Sequence, residues 1–267
     1  MTPPYRYADV RGARIAWNAT GHGPTVIWCH GMSASAYLQE SVGQFDWKPL
    51  SASDFRLVRY DARGHGRSGG GQTPEEYTWP ELAKDLLTLL DEVAPGEKVH
   101  AIGSSMGTAT IIHAALARPD RFDRLVLTTP PTFWQTRKDQ IPLRLNGADF
   151  LEQHGLRAFE KLSVNVPASP ALVDARAYVT PVASKAAIFP SVLRGSAVSD
   201  LPDATTLATL SNPTLILSWT GDGVHPVVSG ETLNGLLPNS SLHVADTPAQ
   251  LHTWPALVLD FLRSASR

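Results

Sequence analysis

Cysteine is almost missing from this chain. Cys29 stands alone, which excludes an internal disulfide framework and any zinc or iron–sulfur centre built from several cysteines. No apolar run reaches the ~18 residues of a membrane span, so no membrane partner is expected. No surplus charge exists either: 23 Lys and Arg face 25 Asp and Glu, a net charge of −2, which excludes the basic excess of a non-specific nucleic-acid binder. Met1-Thr2-Pro3-Pro4-Tyr5 lacks the basic and apolar regions of a signal peptide, so a cytoplasmic chain is expected. Internal repeats and low-complexity tracts are absent. What is present is 267 residues, 43% hydrophobic and 18% charged, enough for one large α/β domain or two small ones with a sizeable core.

Strand and helix patterns alternate through the first half. Tyr5–Val10 and Ala13–Asn18 flank Arg11-Gly12 and predict a hairpin. Val26-Ile27-Trp28-Cys29, Leu57–Tyr60, Val99–Ile102 and Leu125–Leu127 are short, nearly continuous apolar runs, as in strands buried on both faces. Leu82, Leu86, Leu89, Leu90 and Val93 fall at helical spacing, and Ile111, Ile112, Ala115 and Leu116 mark a second helix ending near Pro119. Such alternation implies a mainly parallel sheet covered on both sides. From about Pro130 to Asp203 strand-like runs cease, while helical fragments and prolines continue, which predicts a helical insertion over one end of the sheet. The strand pattern resumes at Thr214–Leu217 and Ser241–Val244 and closes with a helix over Pro255–Leu262.

The most informative stretch is Gly103-Ser104-Ser105-Met106-Gly107, a Gly-x-Ser-x-Gly between a strand and a helix. A serine lifted above the sheet on so sharp a turn leaves no room for side chains two residues before or after it, and both places hold glycine. Ser105 also meets a helix N-terminus, where free N–H groups favour developing negative charge.

With those residues the chain resembles the α/β-hydrolase fold family over nearly its whole length. The resemblance implies a mostly parallel eight-stranded sheet with helices on both faces, a core of residues 1–129 and 204–267, and a helical cap over 130–203. Trp28-Cys29-His30-Gly31-Met32 is similar to the family's His-Gly loop, so the Met32 and Met106 N–H groups are the implied oxyanion hole. Asp61, His65 and Arg67, in Tyr60–Ser68, match a turn that fixes loops. In the family's chain order the acid follows the seventh strand and the base follows the eighth. Asp222, four residues before Pro226, fits the acid, and no acid follows Leu125–Thr129. His252 is the only histidine after the last strand and is the expected base. His225, near the acid's loop, is the alternative, because Thr247, Pro248 and Gln250 read as a helix start that would turn His252 away.

His30, Phe133 and Trp134 are expected at the substrate pocket, with His30 steadying the oxyanion loop. Phe150, Phe159, Tyr178 and Phe189 supply further bulk to the insertion, and Arg137 and Lys138 either meet a substrate carboxylate or form a solvated face. No histidine pair has metal-ligand spacing, and the glycine run from Gly64 to Gly71 reads as a flexible turn and not a phosphate loop. The resulting expectation is a cofactor-independent serine hydrolase, monomeric or homodimeric, cleaving a carboxylic ester or lactone of a small apolar molecule through an acyl-enzyme. Thioester or carbon–carbon cleavage, a lyase or cyclase, and a ligand-binding protein of the same fold are the competing readings.

Overall fold

The computed structural model describes residues 4–163, 169–175 and 181–264. Strands β1 (Arg6–Val10) and β2 (Ala13–Thr20) form the expected hairpin. Arg11 and Gly12 both take positive φ, 49° and 78°, the turn whose twist suits antiparallel strands. Six more strands follow: β3 (Thr25–Cys29), β4 (Arg56–Tyr60), β5 (Val99–Ser104), β6 (Phe122–Thr128), β7 (Thr214–Trp219) and β8 (Ser240–Ala245). They make one eight-stranded sheet in the order β1-β2-β4-β3-β5-β6-β7-β8. The pairs β1/β2 and β2/β4 are antiparallel and the other pairs parallel.

Every residue of β3, β5 and β7 is buried, which explains why these strands read as unbroken apolar runs. Alternate residues of β3 serve opposite faces, as the two-residue period of a strand requires. Ile27 and Cys29 join a cluster with Leu82, Leu86 and Ile111, while Val26 and Trp28 join Leu50, Trp254 and Val258.

The helices are α1 (Ala36–Ser41), α2 (Lys48–Ala52), α3 (Trp79–Val93), α4 (Met106–Ala117), α5 (Gln140–His154), α6 (Leu156–Ser163), α7 (Phe189–Ala197), α8 (Ala204–Leu207), α9 (Val227–Leu236), α10 (Pro248–Leu251) and α11 (Trp254–Arg263). Leu82, Leu86, Leu89, Leu90 and Val93 form the buried stripe of α3 as their spacing predicted. The chain from β6 to β7 holds α5 to α8 and short 3-10 turns; Tyr178 and Pro167 lie outside the described residues.

This helical run touches the loops at the C-terminal ends of three strands. Ala183 N–H donates to Ser33 O at 2.6 Å after β3, and Ser184 Oγ donates to Gly64 O at 2.6 Å after β4. Ser169 Oγ donates to Thr220 O at 2.6 Å after β7. The glycine-rich turn after β4 is pinned and not loose: Gly64 N–H donates to Gly69 O, and Tyr77 Oη donates to Gly71 O.

Candidate active site

Ser105 sits between the last residue of β5 and the first of α4, with φ 52° and ψ −110°. The turn tolerates nothing larger than glycine on either side. A Cβ on Gly103 would lie 2.6 Å from the Gly107 carbonyl carbon, and one on Gly107 would lie 2.0 Å from Cys29 O. Thr108 Oγ1 ties the turn down by donating to Gly103 O and Thr128 O, each at 2.9 Å.

The imidazole beside Ser105 belongs to His225. Its Nε2 is 2.7 Å from Ser105 Oγ, and its Nδ1 is 2.8 Å from Asp222 Oδ2. An ionised carboxylate can only accept, so Nδ1 carries the proton and Nε2 is left to accept from the serine hydroxyl. Asp222 receives three further donors: Trp219 Nε1 at 2.8 Å on Oδ2, and the Val224 and His225 N–H groups at 2.9 and 3.1 Å on Oδ1. Burial alone would raise its proton affinity, but the adjacent His225 and these donors hold its carboxyl far below the usual range. Asp222, His225 and the Trp219 donor therefore come from one short segment that begins at the last residue of β7.

His252 is corrected by this geometry. Thr247 and Gln250 form a reciprocal capping box, and α10 coils immediately after β8 instead of letting a loop reach Ser105. Leu251 at the end of α10 and Trp254 at the start of α11 turn inward, which leaves His252 between them exposed. Sequence order alone pointed to a histidine that lies away from Ser105. The signal that finds the histidine beside Ser105 is Asp222-x-x-His225 within a single loop, with Gly221 and Gly223 flanking the acid.

His30 does not face a substrate either. Its Nε2 accepts from Ala62 N–H at 2.9 Å, so Nδ1 carries the proton and donates to Gly31 O at 2.7 Å. Both nitrogens are spent on joining the loops after β3 and β4, and burial pushes its pKa down to about 4. His65 stacks edge-on against it at 5.3 Å, donating Nδ1–H to Arg63 O. Asp61 accepts from the Arg67 and Ala36 N–H groups and Arg67 covers the Tyr5 ring, so this turn is structural, as its resemblance implied.

Phe133 is buried in the cluster that contains Met106. Trp134 instead borders an open cavity of about 500 Å³, with Arg137, Lys138, Ile141, Val198 and Asp200, whose lining includes neither Ser105 nor His225. Arg137 is buried and donates to the Thr132, Ser196 and Ser199 carbonyls over the Trp79 ring, so it is not waiting for a substrate. Lys138 is exposed, a solvated face.

A family model described as "alpha/beta hydrolase fold" matches residues 24–250, a stretch that contains Ser105, Asp222 and His225. The chain belongs to the α/β hydrolase family. Among curated relatives, the "Probable oxidoreductase EphD" of Mycobacterium tuberculosis is 38% identical over 120 residues, covering 44% of this chain and 19% of that protein. The chain thus spans about a fifth of the length of the first such relatives. The "3-oxoadipate enol-lactonase 1" of Acinetobacter baylyi is 27% identical over 218 residues, 75% of each. Among solved structures, a hydrolase from Pseudomonas aeruginosa superimposes with a TM-score of 0.82 at 22% identity, over 99% of this chain and 100% of that one. The enol-lactonase from Burkholderia xenovorans gives 0.79 at 20% identity, over 97% and 100%. No helix among the described residues is long and apolar enough to cross a membrane.

Proposed function

We propose that this α/β hydrolase is a serine hydrolase that cleaves the ester-like bond of a small carboxylic ester or lactone. The observation that carries the proposal is the Ser105–His225–Asp222 relay, with its two contacts of 2.7 and 2.8 Å. Ser105 Oγ attacks the carbonyl carbon while its proton passes to His225 Nε2, and Asp222 steadies the imidazolium that forms. The oxyanion falls to two backbone N–H groups. Met106 is the first residue of α4, so its N–H has no acceptor within the helix. Met32 follows Gly31, whose own N–H is held by Gln39 Oε1 at 2.9 Å, fixing the direction of that loop. A donor so placed is worth about 3–4 kcal/mol in the transition state.

Collapse of the tetrahedral intermediate breaks the carbonyl–oxygen bond, and the leaving oxygen takes the proton from His225. Water then attacks the acyl-enzyme with the same imidazole as base, releasing the acid and restoring Ser105. The helical segment 130–203, bound across the loops after β3, β4 and β7, is the proposed cap that shapes the substrate space. Relatives described as enol-lactonase and esterase carry the same fold and support this reaction class.

The test is labelling by a fluorophosphonate, followed by turnover of p-nitrophenyl esters and simple lactones. Ser105→Ala should abolish both, and His225→Ala should lower kcat by about 10⁴-fold or more. His252→Ala should leave turnover unchanged. Failure of a folded sample to label would favour a ligand-binding or non-hydrolytic member of the family. Loss of activity in His252→Ala with His225→Ala intact would reverse the assignment of the base.

A further inference from the structure

The inward face of α5 holds a charge where an apolar residue belongs. Ala148 and Leu151 are buried on that face, and Arg144 lies four and seven residues before them, on the same stripe. Arg144 is half-buried overall, but its guanidinium Nε is sealed from solvent and has no hydrogen-bond partner among the described residues. Its one hydrogen bond among the described residues runs from Nη1 to Met32 Sδ at 3.5 Å, a weak acceptor for so strong a donor. No carboxylate pairs with Arg144 among the described residues, and the segments 164–168 and 176–180 contain no Asp or Glu. Arg137, a cation that Arg144 repels, is partly countered by Asp200, whereas no carboxylate among the described residues offsets Arg144.

A guanidinium partly withdrawn from water without an anion costs free energy, and such a position can be retained when a ligand supplies the missing charge. Arg144 stands one methionine side chain from the Met32 N–H proposed for the oxyanion. Met32 itself packs against both the cluster containing Met106 and the cap cluster containing Phe189. A molecule with its carbonyl over Ser105 and its oxygen toward the Met32 N–H would extend toward the Met32 side chain on which Arg144 rests. The planar guanidinium edge, with Nε–H free, matches the two oxygens of a carboxylate.

We propose that Arg144 binds a carboxylate carried by the substrate, so that the ester or lactone cleaved at Ser105 is anionic at its far end. This rests on the reading of Ser105, His225 and Asp222 as a hydrolytic relay. It narrows the substrate class from apolar esters to half-esters and lactone acids.

The experiment compares mono-p-nitrophenyl glutarate with p-nitrophenyl valerate, which has the same chain length and no charge. The wild type should favour the glutarate half-ester in kcat/KM by at least about tenfold, mainly through KM. That ratio should collapse in Arg144→Gln and be partly kept in Arg144→Lys. Equal or better use of the valerate by the wild type, or a ratio that survives Arg144→Gln, overturns the proposal. A second readout does not need turnover: calorimetry of glutarate binding to Ser105→Ala, with the signal lost in the Ser105→Ala/Arg144→Gln double variant. Inorganic phosphate binding as tightly as glutarate would overturn the carboxylate assignment. If neither ester turns over and the fluorophosphonate leaves Ser105 unlabelled, the hydrolase reading fails, and glutarate binding alone decides for or against Arg144. Should Arg144→Gln not fold, the wild-type preference and Arg144→Lys decide it.

Discussion

Asp222 is the most heavily held side chain of the site, and one of its donors is not a family-style backbone group but the indole of Trp219. Oδ2 takes both Trp219 Nε1 and His225 Nδ1 at 2.8 Å. Trp219 is itself fixed by a stack on Trp254, 5.8 Å between centroids and 4° from parallel, and by Phe45 at 5.8 Å. Trp219→Phe keeps these ring contacts and removes only the donor. The expected result is a fall in kcat of about tenfold with little change in KM, since a hydrogen bond to a charged group is worth about 1.5 kcal/mol or more. The acid limb of the pH–rate profile should move upward, because a carboxylate with one donor fewer attracts the neighbouring proton more strongly. A purely packing role for Trp219 would lower stability and leave that limb in place. At this scale Ser105 and Asp222 were legible because a turn and its spacing demand particular residues. His225 was legible only as the alternative to His252, because its meaning lies in a two-residue gap from the acid and not in its place along the chain.

At the scale of elements, the strand–turn–helix around Ser105 depends on backbone contact. Gly107→Ala would drive a Cβ onto the carbonyl of Cys29 in the neighbouring strand β3, where no flexible atom can yield. The expected cost is at least about 3 kcal/mol in urea denaturation, accompanied by loss of labelling at Ser105. Gly235→Ala is the control: it lies in α9 with nothing within 4 Å of the added Cβ. It should raise stability by up to about 1 kcal/mol by restricting the unfolded chain and favouring helix. Equal effects from the two substitutions would remove the argument for a glycine-only elbow. The same physics separates the elements that were readable from those that were not. β3, β5 and β7 announce themselves because both faces are buried, and α3 because its stripe repeats regularly. α1 and α2 are too short for a period to show, and α5 mixes a charge into its inward face, so no clean stripe exists to read.

Across the whole molecule, the helical segment and the sheet meet over two buried, neutral histidines. His30 joins the loops after β3 and β4, and His65 in the second loop pairs with Ser184 of the helical segment through an isolated bridge. Burial lowers the pKa of His30 to about 4 and, with repulsion from His30, that of His65 to about 3. Both folded values lie below the ordinary 6.5, so the unfolded chain binds more protons as pH falls. Their stabilisation is complete above about pH 6.5 and is lost progressively as pH falls toward 4 and then 3. Through His30 alone the loss by pH 4 is about 3 kcal/mol. Asp61 and Glu40, buried carboxylates whose pKa values burial raises, work in the opposite direction and soften the decline. Urea denaturation at pH 7.5 and 4.5 should therefore show a clear drop in midpoint. His65→Asn, whose amide can still donate to Arg63 O, should show a smaller drop than the wild type. A midpoint that holds steady between the two pH values would mean that these histidines are not held neutral at the junction of sheet and helices.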